Sequence, residues 1–411
     1  MIHRTILFLF LLFLFGCGSN EVRIPHQVSL NSSINSINEE DLLDVSIVLF
    51  DSGVPEGEID KELLEELINE GTFVHIRRTE SRYMATHLRD TLQNSGYWGS
   101  VWVTPDRSLI ADLEIMGKIL HSDGDRVSLD IHAVDASGRT WLKRNYQMFT
   151  AAGAFNRNIY PDKDPYQDIF NRIANDLAVL QVRLEPGEGK NIRRITELRF
   201  AEEISPESFQ GYLNNSRGRI SINRLPSVDD PQFNRIQRAR DREHAFIETL
   251  NEHYVGFYNN STESYDGWRE YSREESIAIK ELESSSRWRT GIGVATIVAS
   301  IVYDSNSDGD FNSRVIRDTM MYTGVEMIKS AGVRREEKRL HTQTLEELSL
   351  SFDDEVMPMV IQIEGTQHRL TGTADAQYQE WKDLLLELYK SETGFESDVD
   401  IFIDPLDNFE E

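Results

Sequence analysis

The run Asp304-Ser305-Asn306-Ser307-Asp308-Gly309-Asp310-Phe311-Asn312 holds the side chains best spaced for chemistry in this 411-residue chain. Oxygen ligands at Asp304, Asn306, Asp308 and Asn312, with glycine at the sixth position, suit a loop that wraps a hard cation such as calcium. The twelfth position is Val315, where such loops carry a bidentate carboxylate. Two ligand oxygens are therefore missing, and a polar turn between packed helices is the stronger alternative. The ten histidines are scattered, with no H-E-x-x-H and no cysteine partners, so no transition-metal site is predicted. His75, His87 and His132 fall in predicted regular elements as structural or surface residues. No G-x-S-x-G, Walker-type glycine loop or dinucleotide fingerprint occurs, so no catalytic residue and no cofactor are assigned. Arg235, Arg238, Arg240 and Arg242 are interleaved with Asp241 and Glu243, the pattern of a solvated helix face. Tyr97-Trp98 and Trp102 suit packing against a sheet, with a protein contact as the alternative.

That leaves Cys17, the sole cysteine of the chain, which can form no internal disulfide. It ends an amino-terminal segment in which His3 and Arg4 precede an apolar run from Ile6 to Phe15, the length of a signal-peptide core and too short to span a bilayer. Leu14-Phe15-Gly16-Cys17 resembles the lipobox of bacterial lipoproteins. The resemblance implies cleavage before Cys17, diacylglyceryl transfer to its thiol and acylation of its amino group. Several acyl chains make a stable anchor, whereas one is marginal. Gly18 stands where lipoproteins retained at the inner membrane of enterobacteria typically carry Asp, so the resemblance implies the outer membrane, facing the periplasm or the cell surface. A cleaved secretory signal or an uncleaved anchor is the alternative.

The whole-chain balance agrees with an anchor supplied by lipid rather than by charge. The 43 basic and 70 acidic residues give a formal net charge of -27, which repels nucleic acid and opposes a body lying flat on an anionic leaflet.

The elements behind these residues read as an α+β protein: an N-terminal α/β domain with a mainly antiparallel sheet, then a helix-rich part with a small β-hairpin. After a signal peptide at 1–16, the Ser- and Asn-rich stretch 17–41 reads as a lipidated flexible tether. The α/β domain is placed at 42–185. Val45 to Phe50 is β-rich, Asp60 to Asn69 helical, Thr72 to Ile76 extended, Ser81 to Asn94 helical with Gly96 as its stop, and Ser100 to Val103 extended. Asp112 to Leu120, Arg126 to Val134 and Thr140 to Tyr146 alternate apolar and polar residues about turns at Ser122–Asp125 and Asp135–Gly138, the signature of an antiparallel meander. Asp168 to Leu180 closes the unit as a helix.

Pro186 to Lys190 reads as a linker to a helix-rich domain at 190–395. Asp229 is the expected cap of a helix to Tyr258, and a second helix from Ser264 to Trp288 would form a hairpin about Asn259-Asn260-Ser261-Thr262. Gly291 to Tyr303 suits a buried core helix, with membrane re-entry or a strand as alternatives, beside a helix from Ser313 to Ala331. Thr344 to Leu350 is helical, Val356 to Ile363 extended with a partner around His368 to Leu370, and Ala374 to Tyr389 an amphipathic helix facing inward through Tyr378, Trp381, Leu385 and Leu388. Residues 396–411 are an acidic tail.

Residues 42–182, with "ADLEIMGKIL" and "VSLDIHAVDASGRTW" in the meander, resemble the periplasmic α/β domain of envelope assembly lipoproteins of the CsgG, LpoB and TolB amino-terminal type. The resemblance implies a non-catalytic protein-contact module. The functional expectation is an envelope-tethered accessory or assembly factor, bound to the membrane through lipid and to envelope proteins or further copies of itself. The alternative is a periplasm-facing hydrolase with an unrecognised active site.

Overall fold

The structure is a computed structural model that describes residues 21–24, 27–33, 37–55, 59, 60, 62, 63, 67, 72–151, 153–161, 163–284, 343, 344, 359–363 and 366–393. Its class is α+β. The strands β1 (Glu21–Ile24), β2 (Val45–Val48), β3 (Val101–Thr104), β4 (Leu113–Ser122), β5 (Arg126–Asp135) and β6 (Thr140–Phe149) form one mixed sheet in the order β1-β6-β5-β4-β2-β3. The β4–β5 and β5–β6 pairings are antiparallel, and β2 runs parallel to both of its neighbours. Alternation decides the buried face: Val127, Leu129, Ile131 and Ala133 point inward, and Ser128, Asp130 and His132 point out.

Two helices cover that inner face. α1 (Val74–Ser95) buries Met84, Leu88 and Leu92, and α2 (Gln167–Val182) buries Ile169, Ile173 and Leu177. α1 begins earlier than periodicity suggested: Thr72 to Ile76, expected to be extended, mostly lies in its first turn. Val74 packs against Leu67, and Ile76 against Tyr265 and Trp268, so tertiary contacts outweigh the strand preference of these β-branched residues. α1 ends at Gly96, which takes the left-handed cap conformation.

The stretch expected to be a tether is partly docked. β1 pairs in parallel with β6 in the register Glu21↔Asn145 to Ile24↔Met148. Past it, the Gln27 and Val28 amides donate to the Asp168 carboxylate at 2.9 and 3.1 Å. Asn171 and Asn175, one turn apart on α2, donate to the Val28 and Ser29 carbonyls at 2.7 and 2.8 Å, and the Asn31 amide returns a bond to Asn175. Asn- and Ser-rich composition reads as flexible, but α2 supplies amide side chains spaced to satisfy this backbone.

The expected linker at Pro186–Lys190 also belongs to a packed element. α3 (Glu188–Ile204) starts within it and sends Ile192, Ile195, Phe200 and Ala201 into the same core as α1 and α2. A short α4 (Pro206–Phe209) leads to the hairpin of β7 (Leu213–Ser216) and β8 (Arg219–Ile222).

The largest departure from expectation is α5 (Pro231–Ser284), one continuous helix of 54 residues, about 80 Å long at 1.5 Å per residue. Asp230, rather than Asp229, caps it, accepting from the Gln232 and Phe233 amides at 2.9 and 3.2 Å, with Pro231 opening the helix. The expected hairpin at Asn259–Thr262 does not form. Ser261 and Thr262 turn their hydroxyls back onto the Phe257 and Tyr258 carbonyls at 2.8 and 2.7 Å, and buried aromatic residues on both sides keep the helix on α1. At the carboxyl end β9 (Met359–Ile363) and β10 (Thr366–Leu370) pair antiparallel, and α6 (Ala374–Thr393) docks on α5. Tyr378, Trp381 and Leu385 face inward as expected, and Leu388 packs against the core partly exposed. Among the described residues no helix is long and apolar enough to cross a membrane.

Candidate functional site

The sheet, α1 and α5 meet in a buried polar cluster. α1 brings Glu80, Tyr83 and His87 to one face by helical spacing; α5 brings Tyr258, Tyr265 and Arg269. The loop before α2 supplies Asp164 and Tyr166, and the end of β4 supplies Ser122. Arg269 is wholly buried and donates two parallel bonds to Asp164, at 3.0 and 2.7 Å, and a further one to Asp266. Its guanidinium lies 4.2 Å from the Tyr265 ring centroid, 4.7 Å from Tyr166 and 5.5 Å from Tyr83. Tyr83 adds a 2.9 Å bond to Asp164.

Glu80, also without exposure, accepts from Ser122 at 2.5 Å, Tyr265 at 2.7 Å and Arg77 at 3.3 Å. Burial pushes its pKa up despite Arg77 and these donors. Burial acts the same way on Asp164, but the adjacent Arg269 guanidinium wins and holds that carboxyl well below the usual range. His87 bonds Tyr258 at 2.7 Å, and burial lowers its pKa. The α5 backbone also touches the β4–β5 turn: a Cβ on Gly124, at φ +81°, would lie 2.1 Å from the Arg269 carbonyl oxygen.

This constellation joins α5 to α1 and to the loop before α2. The adjoining recess, lined by Gln27, Tyr160, Lys163, Asp164 and Asp168, holds about 50 Å³, room for a few waters and far less than an organic ligand occupies. A second recess of about 30 Å³ lies between Arg107, Glu114 and Arg199. No group of three or more His, Cys, Asp or Glu able to hold a metal occurs among the described residues.

A second buried acid secures α6. The Trp381 indole donates to Glu243 at 2.5 Å, and its ring stacks on Phe246 at 4.8 Å and 9°. Burial raises Glu243 to about 7 in spite of the Trp381 donor and Lys382. Because this folded-state value exceeds the unfolded one near 4.5, the associated stability is full below pH 4.5 and is lost as pH rises through 7. The shift corresponds to about 3 kcal/mol. The stability difference between wild type and Glu243→Gln, measured by urea unfolding, is expected to fall by that order between pH 4.5 and 7.5. A pH-independent difference would contradict the assignment.

The residues singled out by sequence fare unequally. Cys17, Asp304, Asn306, Asp308 and Asn312 lie outside the described residues, as do Gly291 to Tyr303, the helix at Ser313 to Ala331 and the acidic tail. His87 joins the buried cluster, while His132 lies on the outer face of β5. The arginine series is not the uniformly solvated face expected: Arg238 is exposed, but Arg240 is buried beside Glu197 at 3.6 Å and Glu243 is buried under α6. Arg242 pairs with Glu392 at 2.7 Å and Arg235 with Gln232 at 3.3 Å. Trp98 and Trp102 are buried, the first near Trp141 and the second near His244. Arg269, Asp164 and Glu80 escaped sequence reading; only the helical spacing of Tyr258, Tyr265 and Arg269 hinted at a shared inward face. Comparison with protein-family models, curated proteins and solved structures yields no match, so the site stands on its own geometry.

Proposed function

We propose that the protein is an envelope lipoprotein, acylated on Cys17 and facing the periplasm from the outer membrane, that acts as a non-catalytic binding or assembly factor. The observation that carries this reading is the placement of the only cysteine of the chain one residue past an apolar run of signal-peptide length, in Leu14-Phe15-Gly16-Cys17. Two further features support it. Among the described residues the buried polar clusters join helices to one another and to the sheet, and the two recesses described beside them hold only about 50 and 30 Å³. Lipid confinement raises the effective concentration of such a body for partners in the same membrane.

Intact mass spectrometry of the protein extracted from membranes is expected to find Cys17 as the first residue, carrying the added mass of its acyl chains. A bare thiol or another first residue would remove the anchor. Pulldown after envelope cross-linking is expected to recover a defined set of envelope proteins. Recovery of glycans or small molecules alone would favour the hydrolase reading.

A further inference from the structure

No acidic residue lies between Glu207 and Asp229, although acids make up 70 of the 411 residues, and the interval carries Arg217, Arg219 and Arg224. It comprises the β7–β8 hairpin and the loop after it. All three arginines are exposed. Arg224 lies over the Tyr212 ring at 4.0 Å, which holds its charge beside the loop. That loop also exposes two apolar side chains, Leu225 at 49% and Val228 at 96%, the latter the most exposed large hydrophobic residue described. Basic charge flanking exposed aliphatic groups is the chemistry of a surface that meets phosphate headgroups and the acyl layer beneath them.

The position of the hairpin matches that role. The Ile220 amide donates to the Ser137 carbonyl at 2.9 Å, and a Cβ on Gly138 would lie 2.2 Å from the Gly218 carbonyl oxygen, so the hairpin sits on the β5–β6 turn. β1 runs parallel to β6, so its beginning points toward that same end of the sheet. Glu21 stands beside Asn145, five residues or about 17 Å from Thr140 at the start of β6. Only four residue steps separate Cys17 from Glu21, a reach of at most about 14 Å. A lipid on Cys17 therefore brings the bilayer to the end of the body that carries the arginines, while the net charge of -27 on the whole chain turns the rest away from an anionic surface.

We propose that Arg217, Arg219, Arg224, Leu225 and Val228 seat the body directly on the anionic phospholipid surface to which it is anchored. The location of this seat rests on the Cys17 reading; its chemistry does not.

The test uses the full mature chain, both acylated and as Cys17→Ser, with Val228→Cys carrying an environment-sensitive dye and vesicles containing doxyl-labelled lipid. Quenching is expected with phosphatidylcholine–phosphatidylglycerol vesicles and not with phosphatidylcholine alone. For the Cys17→Ser form, replacing the three arginines by alanine should lower partitioning about a hundredfold, roughly fivefold for each charge removed. Absent quenching of the acylated form, equal quenching by neutral vesicles, or an unchanged arginine variant each overturns the proposal. A bare Cys17 thiol in the mass spectrum refutes the anchor alone, because vesicle binding by the Cys17→Ser form still decides the seat.

Discussion

Arg269→Met is expected to destabilise the protein by about 3–5 kcal/mol, as large an effect as any single substitution here should produce. The side chain has no solvent exposure, so its loss does not trade one hydrated state for another. It leaves Asp164 buried beside Tyr83 with its two guanidinium bonds gone. Burial pushes that carboxyl up, and chiefly the neighbouring guanidinium, with help from His87 and the Tyr166 amide, holds it well below the ordinary range. Its folded pKa is thus depressed: the pair contributes stability above the unfolded value near 3.8 and loses it as pH falls further. The penalty of Arg269→Met should accordingly be greatest near neutrality and shrink in acid. Asp164→Asn is expected to be costly too, and the double variant less destabilised than the sum, because neither leaves the other charge orphaned. Urea unfolding of all four proteins measures the coupling. A single-variant loss under about 1 kcal/mol, within the range of surface pairs, would show that the cluster does not fasten α5.

Trp381→Ala should rank beside it, at about 3–5 kcal/mol. The indole is 1% exposed, fills the α5–α6 contact against Phe246 and donates to Glu243. Truncation removes the stacked ring and strands a buried carboxyl at once. Trp381→Phe keeps most of the stacking and loses only the donor, so about 1–3 kcal/mol is expected. Limited proteolysis should cut α6 of the alanine variant before the sheet is attacked. Uniform resistance across the chain would mean that α6 is secured by other contacts.

How far these features were legible in the sequence depended on the range of the interactions behind them. β4, β5 and β6 were readable because Leu129-Asp130-Ile131-His132 and its neighbours alternate, and local turns fix their pairing. α6 was readable because Tyr378, Trp381 and Leu385 recur on one helical stripe. The unbroken course of α5 was not, since Asn259-Asn260-Ser261-Thr262 has turn composition and the partners that hold this helix, among them Glu80, Tyr83 and Asp164, are distant in the chain. The same distance hid the cluster itself: Glu80, Asp164 and Arg269 lie far apart in the chain, with no spacing rule to join them. The docking of Gln27 to Asn31 was hidden for a related reason. Its stabilising groups, Asp168, Asn171 and Asn175, belong to another element, so the composition of the strap alone suggests slack.

The attachment of β1 has a mechanical side. A pull on the amino end directed along this strand loads its backbone bonds to β6 in parallel, as a lap joint is loaded, instead of opening them one after another like a zip. The bonds from Asp168, Asn171 and Asn175 lie farther along the chain and take up strain only after that joint slips. Tension entering from the amino end therefore meets the sheet first and the helical layer second, a sequence of yield points written into the order in which the chain touches its own body.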